Sequence, residues 1–251
     1  MGFIFADGYI GSTPLEPDKK SVYNFEISLK IEDTPHLEKF KSFISFEKEI
    51  VTDDHRCRIM IANKHFWSTL NGYGCVPRKS LILKFPRREI FASKDLLRHF
   101  IRGYFDGDGC FSRHICTHVV SPVVGLLGTK DFLEEVLSIS NINGRYTHDK
   151  RHSENTFSLS YSKDDGILFI NYLYNDASIY LDRKYKLFEF FKNGSRSVEE
   201  FAELLSGNIG KTPEMDNTEI NSEIKESESL YSVEVETEDY EERRHKDISI
   251  S

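Results

Sequence analysis

His99-Phe100-Ile101-Arg102-Gly103-Tyr104-Phe105-Asp106-Gly107-Asp108-Gly109-Cys110-Phe111-Ser112 decides the reading, because a reduced copy of it opens the chain as Gly2-Phe3-Ile4-Phe5-Ala6-Asp7-Gly8. Gly103 and Gly107 are four apart, and so are Gly2 and Ala6. Residues at that spacing share one face of a helix. Small residues on that face let two helix backbones approach closely. An Asp and then a Gly follow in each copy. Glycine stops a helix, so each Asp comes at a helix C-terminus, where the dipole disfavours an anion. Two such helices packed side by side would bring Asp7 and Asp108 together. That arrangement calls for a divalent cation. Mg²⁺ binds carboxylates, waters and phosphate oxygens, and paired metal sites suit in-line phosphoryl displacement. One Asp-Gly alone reads as a turn; the duplication gives it weight.

The repeat extends well past the motif. Phe25, Ile27, Leu29 and Ile31 alternate with polar residues, the period of a half-buried strand. Thr34-Pro35 then reads as a cap and first-turn proline, opening a helix with Leu37, Phe40, Phe43 and Ile44 on its apolar face. In the second copy Thr129 is the cap, and Phe132, Leu133, Val136 and Leu137 form the face. The strand before it, His118 to Leu127, contains Pro122 and is expected at an edge or a bulge. Cys57, Ile59 and Ile61 alternate in one copy, and Phe157, Leu159 and Tyr161 in the other, each leading into a helix. Each copy closes on a lysine-bearing phrase, Val76-Pro77-Arg78-Lys79-Ser80 and Tyr180-Leu181-Asp182-Arg183-Lys184-Tyr185. Asp7 to Lys79 spans 72 residues and Asp108 to Lys184 spans 76. The expected class is therefore α+β. Two αββαββα repeats, 1–91 and 92–195, each build an antiparallel sheet with helices on one face, followed by a short helix and acidic tail over 196–251.

The net charge of -8 argues against a nucleic-acid partner only until it is mapped. Of 41 acids and 33 Lys/Arg, 13 and 5 lie in residues 207–251, which leaves 28 of each in the first 206. The body is neutral and the tail carries the acidity. Rich in Glu and Ser, the tail is expected to be disordered. No apolar run is long enough for a membrane span. The N-terminus has no basic n-region, and four cysteines without CxxC spacing exclude a dense disulfide framework or an evident zinc site. The expected compartment is the cytoplasm.

These motifs resemble those of the LAGLIDADG homing endonucleases in their single-chain, two-motif form. The resemblance covers residues 1–190 and rests on GFIFADGYIG, HFIRGYFDGDGCFS, VPRKSLILKFP and YLDRKYKLFEFF. It implies a DNA-binding saddle of two pseudo-twofold halves, with the motif helices at the interface and the sheets in the major groove. It implies Mg²⁺-dependent hydrolysis of one phosphodiester on each strand, Mn²⁺ substituting, on a long asymmetric double-stranded target. A monomer from a bacterial, phage or archaeal setting fits that pattern, as does an organellar one. Asp7 and Asp108 would be catalytic and bind the metal, with Gly8 and Gly109 completing the metal site. Lys79 and Lys184 would stabilise phosphate charge or polarise the attacking water. Asp33 and Gly128 fall where the family holds a water-positioning side chain, a task Gly128 has no side chain to perform. Asp106 matches a structural position, which Phe5 fills in the first copy.

Candidate DNA-facing residues are Lys19, Lys20, Asn24, Glu26, Ser28, Lys30, Arg56 and Arg58 in the first half. In the second they are Arg113, His114, His118, Arg145, Lys150, Arg151 and His152. Phosphate contacts would set position and base-edge contacts would set sequence. Three alternatives accompany this reading. The first motif helix has one residue ahead of Gly2, and so short a helix suits a catalytically silent DNA-binding regulator or an RNA maturase on the same scaffold. The third is the remnant of an intein-borne nuclease.

Overall fold

A computed structural model describes residues 1–13, 22–77, 79, 82–148 and 155–208. By its internal contacts the chain divides into Met1–Ala202, which holds both repeats, and Glu203–Ser251. Of the second unit only the end of one helix is described, so the expected tail disorder lies outside the described residues.

The first repeat runs α1 (Gly2–Asp7), β1 (Gly8–Thr13), β2 (Val22–Lys30), α2 (Thr34–Phe43), β3 (Val51–Thr52), β4 (Arg56–Ala62) and α3 (Lys64–Gly72). The second runs α4 (Lys94–Asp108), β5 (Gly109–Cys116), β6 (Val119–Gly128), α5 (Lys130–Ser140), β7 (Arg145–His148), β8 (Phe157–Ser162) and α6 (Lys163–Tyr174). After these come α7 (Asp182–Phe191), β9 (Arg196–Ser197) and α8 (Val198–Asn208). The two sheets have the same order, β1-β2-β4-β3 and β5-β6-β8-β7, and every pairing is antiparallel.

Alternation decides which face of each sheet is covered. Ile10, Phe25, Ile27, Cys57 and Ile59 are buried under α1, α2 and α3. Val124, Leu126, Leu159 and Tyr161 are buried in the second sheet, where Tyr161 stacks on Phe169 of α6 at 3.9 Å between ring centres. Between the halves, Phe5, Phe100, Phe85 and Phe132 form an aromatic chain, edge-on at its first two contacts and tilted at the third, that joins the two cores.

Three local expectations are corrected. β6 is a central strand, not an edge: β5 flanks one side, while β8 pairs with Val123–Gly128 and β9 with Val119 and Val120. Pro122 falls in the gap between β8 and β9, where a missing N–H forfeits no pairing on that side. The cap of α2 is Asp33, not Thr34, because a 3-10 turn over Ile31–Asp33 runs directly into the helix and Thr34 donates back to the Ile31 carbonyl. Phe43 stands 72% exposed, since α2 ends there and among the described residues no helix covers it. Thr129 caps α5 as expected, accepting from the Phe132 N–H. Ser197 and Glu200 form a reciprocal capping box at the start of α8.

Candidate active site and nucleic-acid interface

The site is built where α1 and α4 cross. A Cβ placed on Gly2 would sit 1.8 Å from the Phe100 carbonyl oxygen, and one on Gly107 would sit 2.4 Å from the Ala6 Cβ. The glycines are therefore required by backbone approach, as their spacing predicted. That approach aligns the two helix C-termini. The Gly107 Cβ position lies 2.8 Å from Asp7 Oδ2, so the Asp7 carboxylate reaches across onto the end of the other motif helix.

Both carboxyls sit above the ordinary carboxylate range. Asp7 is pushed up to about 6, mostly by burial and then by the charge of Asp108, against the pull of Lys184, Lys79 and Arg183. Burial also raises Asp108, opposed by Lys79 and Lys184. The Tyr104 hydroxyl donates to the Leu127 carbonyl at 2.9 Å and lies beside Asp108. Tyr104 reads in the sequence as an apolar helix residue; its polar tip escaped notice because nothing in the motif distinguishes a core tyrosine from one facing a carboxylate.

Each expected lysine reaches the glycine that follows its own motif Asp. Lys79 Nζ donates to the Gly8 carbonyl. Lys184, 2% exposed, donates to the carbonyls of Phe105, Asp106, Gly107 and Gly109. Three of the four carbonyls, those of Phe105, Asp106 and Gly107, lie in the last turn of α4, and a cation complements that end of the dipole. Burial lowers Lys184 to about 8, with Asp106 the main opposing charge. The carbonyls of Gly8 and Gly109 thus already accept a hydrogen bond from an ammonium group. Asp106 points away from the pair: it is 2% exposed and accepts from the Tyr174 hydroxyl at 2.6 Å.

Two further residues stand where the resemblance puts a water-positioning side chain. Asp33 is buried and paired with Arg183 at 3.4 Å. Gly128 ends β6 opposite Phe157 and offers nothing polar beyond its backbone. Arg183, about half exposed, acts to lower Asp7; in the sequence it is one basic residue among many in its phrase and carries no distinguishing signal.

The open face of the first sheet carries Asn24, Glu26, Ser28, Lys30, Arg56 and Arg58 together, opposite the buried set. Ser28 faces Arg58 and Lys30 faces Arg56 across β2 and β4. The same face holds Tyr9, Met60 and Val51, each at least half exposed. A search by charge passes over these three, although strand period alone would place them there. On the second sheet His114 and Arg145 are exposed on the open face, alongside Ser112, Ser158 and Ser160. His118 is exposed at the β5–β6 turn. Arg113 is corrected: it shares the parity of Phe111, faces the helices and sets its guanidinium over the Phe201 ring at 5.0 Å. Lys19, Lys20, Lys150, Arg151 and His152 lie outside the described residues.

The donor set suits Mg²⁺. Two carboxylates on converging helix ends, that of Asp7 partly buried and that of Asp108 exposed, are what this ion takes from a protein when water and phosphate oxygens complete its shell. Among the described residues no group of three or more His, Cys, Asp or Glu gathers at one point.

No protein-family model matches the chain. No curated protein matches it either. Solved structures do. The LAGLIDADG homing endonuclease I-GzeII in complex with its DNA target is 15% identical, with a TM-score of 0.51 over 75% of this chain and 85% of that one. Meganuclease I-SmaMI bound to uncleaveable DNA is 15% identical, with a TM-score of 0.56 over 83% and 97%. LAGLIDADG meganuclease I-AabMI bound to uncleaved DNA is 14% identical, with a TM-score of 0.54 over 84% and 97%. Among the described residues no helix is long and apolar enough to cross a membrane. With both repeats, both sheet orders and the crossing of the motif helices in place, the chain has the two-repeat saddle fold of the LAGLIDADG homing endonucleases.

Proposed function

We propose that this protein is a site-specific endonuclease that binds a long asymmetric double-stranded DNA target as a monomer in the cytoplasm and cuts one phosphodiester on each strand. The observation that carries the reading is the meeting of Asp7 and Asp108 at two helix C-termini, each end held by its own lysine. The DNA-bound neighbours support the nucleic-acid half of it.

Asp7 and Asp108 would hold Mg²⁺, or Mn²⁺ in its place. When bound, the ion supplies Lewis-acid stabilisation of the attacking and leaving oxygens. Within the chain, Lys79 and Lys184 keep the two helix ends in register and project positive charge over the carboxylates, where phosphate charge would develop. Arg183 offers an exposed guanidinium beside Asp7 for bidentate contact with a phosphate. The open sheet faces would enter successive major grooves, with Lys30, Arg56 and Arg58 as anchoring cations and Glu26, Asn24 and Ser28 at base edges.

The test is selection from a randomised duplex library with purified protein and Mg²⁺, sequencing both bound and cut molecules. A single enriched site, cut by wild type and bound but uncut by Asp7→Asn and Asp108→Asn, is the expected result. Enrichment with no cutting by wild type would replace the nuclease reading with that of a silent DNA-binding protein.

A further inference from the structure

The lysine-bearing phrases do not pack against their own repeats alone. In the second, residues 180–183 lie against α2 of the first repeat. His36, 4% exposed, places Nδ1 3.0 Å from the Tyr180 carbonyl. Lys39 Nζ donates to that carbonyl at 3.4 Å and to Asp182 at 2.6 Å, and lies 5.0 Å from the Tyr180 ring centre. Asp33 pairs with Arg183. The far side of His36 is set edge-on to Phe3 of α1, 4.6 Å between ring centres. Three side chains on or beside one helix, Asp33, His36 and Lys39, thus grip the residues immediately ahead of Lys184. The mirror arrangement is present but looser. The chain after Lys79 lies against α5 of the second repeat: Thr129 donates to the Leu83 carbonyl, and Arg88 contacts Glu135 at 2.6 Å and Ser138 at 3.0 Å. Among the described residues those contacts begin at Leu83, and Arg88 and Glu135 are both exposed by about two-fifths.

The geometry points to cross-bracing: α2 of the first repeat is the seat that positions Lys184, and α5 of the second is the weaker seat for the arm of Lys79. His36 and Lys39 are positioning residues for the opposite half's lysine, though neither touches the acidic pair. Lys184 depends on its seat because its ammonium must reach four carbonyls at once. A shift of about 1 Å in α7 would lose part of that set, and a misplacement of that size in a reacting geometry costs up to about 100-fold. The two strand cuts should therefore be separable by mutating residues in the half opposite each lysine.

This inference rests on the nuclease reading for its strand assay, so a second readout is made without DNA. On a supercoiled plasmid bearing the selected site, His36→Leu/Lys39→Ala should raise the ratio of nicked to linear product by about tenfold over wild type. The strand left intact should be the one that Lys184→Met leaves intact. Arg88→Ala should spare the opposite strand less strongly. In the DNA-free protein, acylation of Lys184 by an amine reagent, read by mass spectrometry, should rise about tenfold in the double variant while Lys79 is unchanged. Lys39→Ala alone, at a position about one-third exposed, gives the same direction without disturbing the core. Equal slowing of both strands, or a Lys184 that stays unreactive in the double variant, overturns the cross-bracing. If wild type cuts nothing, the nuclease reading fails, and the acylation result decides the brace by itself.

Discussion

Replacing Asp7 with Asn should stabilise the metal-free protein while removing its activity. Asp7 lies about two pK units above its ordinary 3.8, and each unit is worth 1.36 kcal/mol, so burying its charge at neutral pH costs about 3 kcal/mol. An amide must still be buried in its place, which reduces the gain to roughly 1–3 kcal/mol. For a folded body of this size each kcal/mol moves Tm by roughly 2–4 °C, so Asp7→Asn should melt roughly 2–12 °C higher in EDTA at pH 7.5. The sign with pH follows from linkage. The folded pKa of Asp7 is raised, so the stability due to its neutral form is complete below about pH 4 and is lost as pH rises through about 6. Asn does not titrate. The gap between variant and wild type should therefore be near zero at pH 4 and fully open above about pH 7. Saturating Mg²⁺ should close it by stabilising only the wild type substantially, because a ligand that binds the native state raises Tm by mass action. The assay is differential scanning calorimetry of both proteins at pH 4, 6 and 7.5, with and without Mg²⁺. A lower Tm for the variant in EDTA at pH 7.5, or a gap of the same size at every pH, would show that this carboxylate is not held under electrostatic strain.

Other outcomes follow from the same geometry. Gly107→Ala should cost about 1–3 kcal/mol in chemical denaturation, because its methyl would overlap the Ala6 Cβ, while Gly74→Ala, with open space around it, should show only backbone strain. Arg58→Ala should weaken DNA binding at all sequences and lower the slope of log K against log salt by about 1, whereas Arg113→Ala should leave that slope unchanged and reduce stability instead. Phe25→Ala should destabilise by about 3–5 kcal/mol and Phe43→Ser by less than about 0.5, a contrast that urea titration of the two variants resolves directly.

The tandem motif, the four-residue spacing of small residues and the strand alternation were all legible in the chain, because each is a local periodicity with a single geometric meaning. From them came the two repeats, the helix order, the crossing of α1 on α4 and the six candidate residues on the open face of the first sheet. Arg113 shows where charge misleads: its strand parity with Phe111 puts it on the helix-covered face. Pro122 was placed at an edge because composition alone does not reveal that β8 and β9 leave a gap beside it. Charge also drew attention away from Tyr9, Met60 and Val51, which strand period puts on the same open surface. Only tertiary structure decided what the polar groups face. Asp106 and Asp108 are two residues apart on one helix, yet one is sealed against Tyr174 and the other turned toward Asp7, because the packing of α6 and α1 on opposite sides of α4 assigns them. That the second half's lysine arm rests on the first half's α2 was hidden for the same reason: the partners are more than 140 residues apart, and sequence spacing carries no information on contacts that only the docking of two repeats creates.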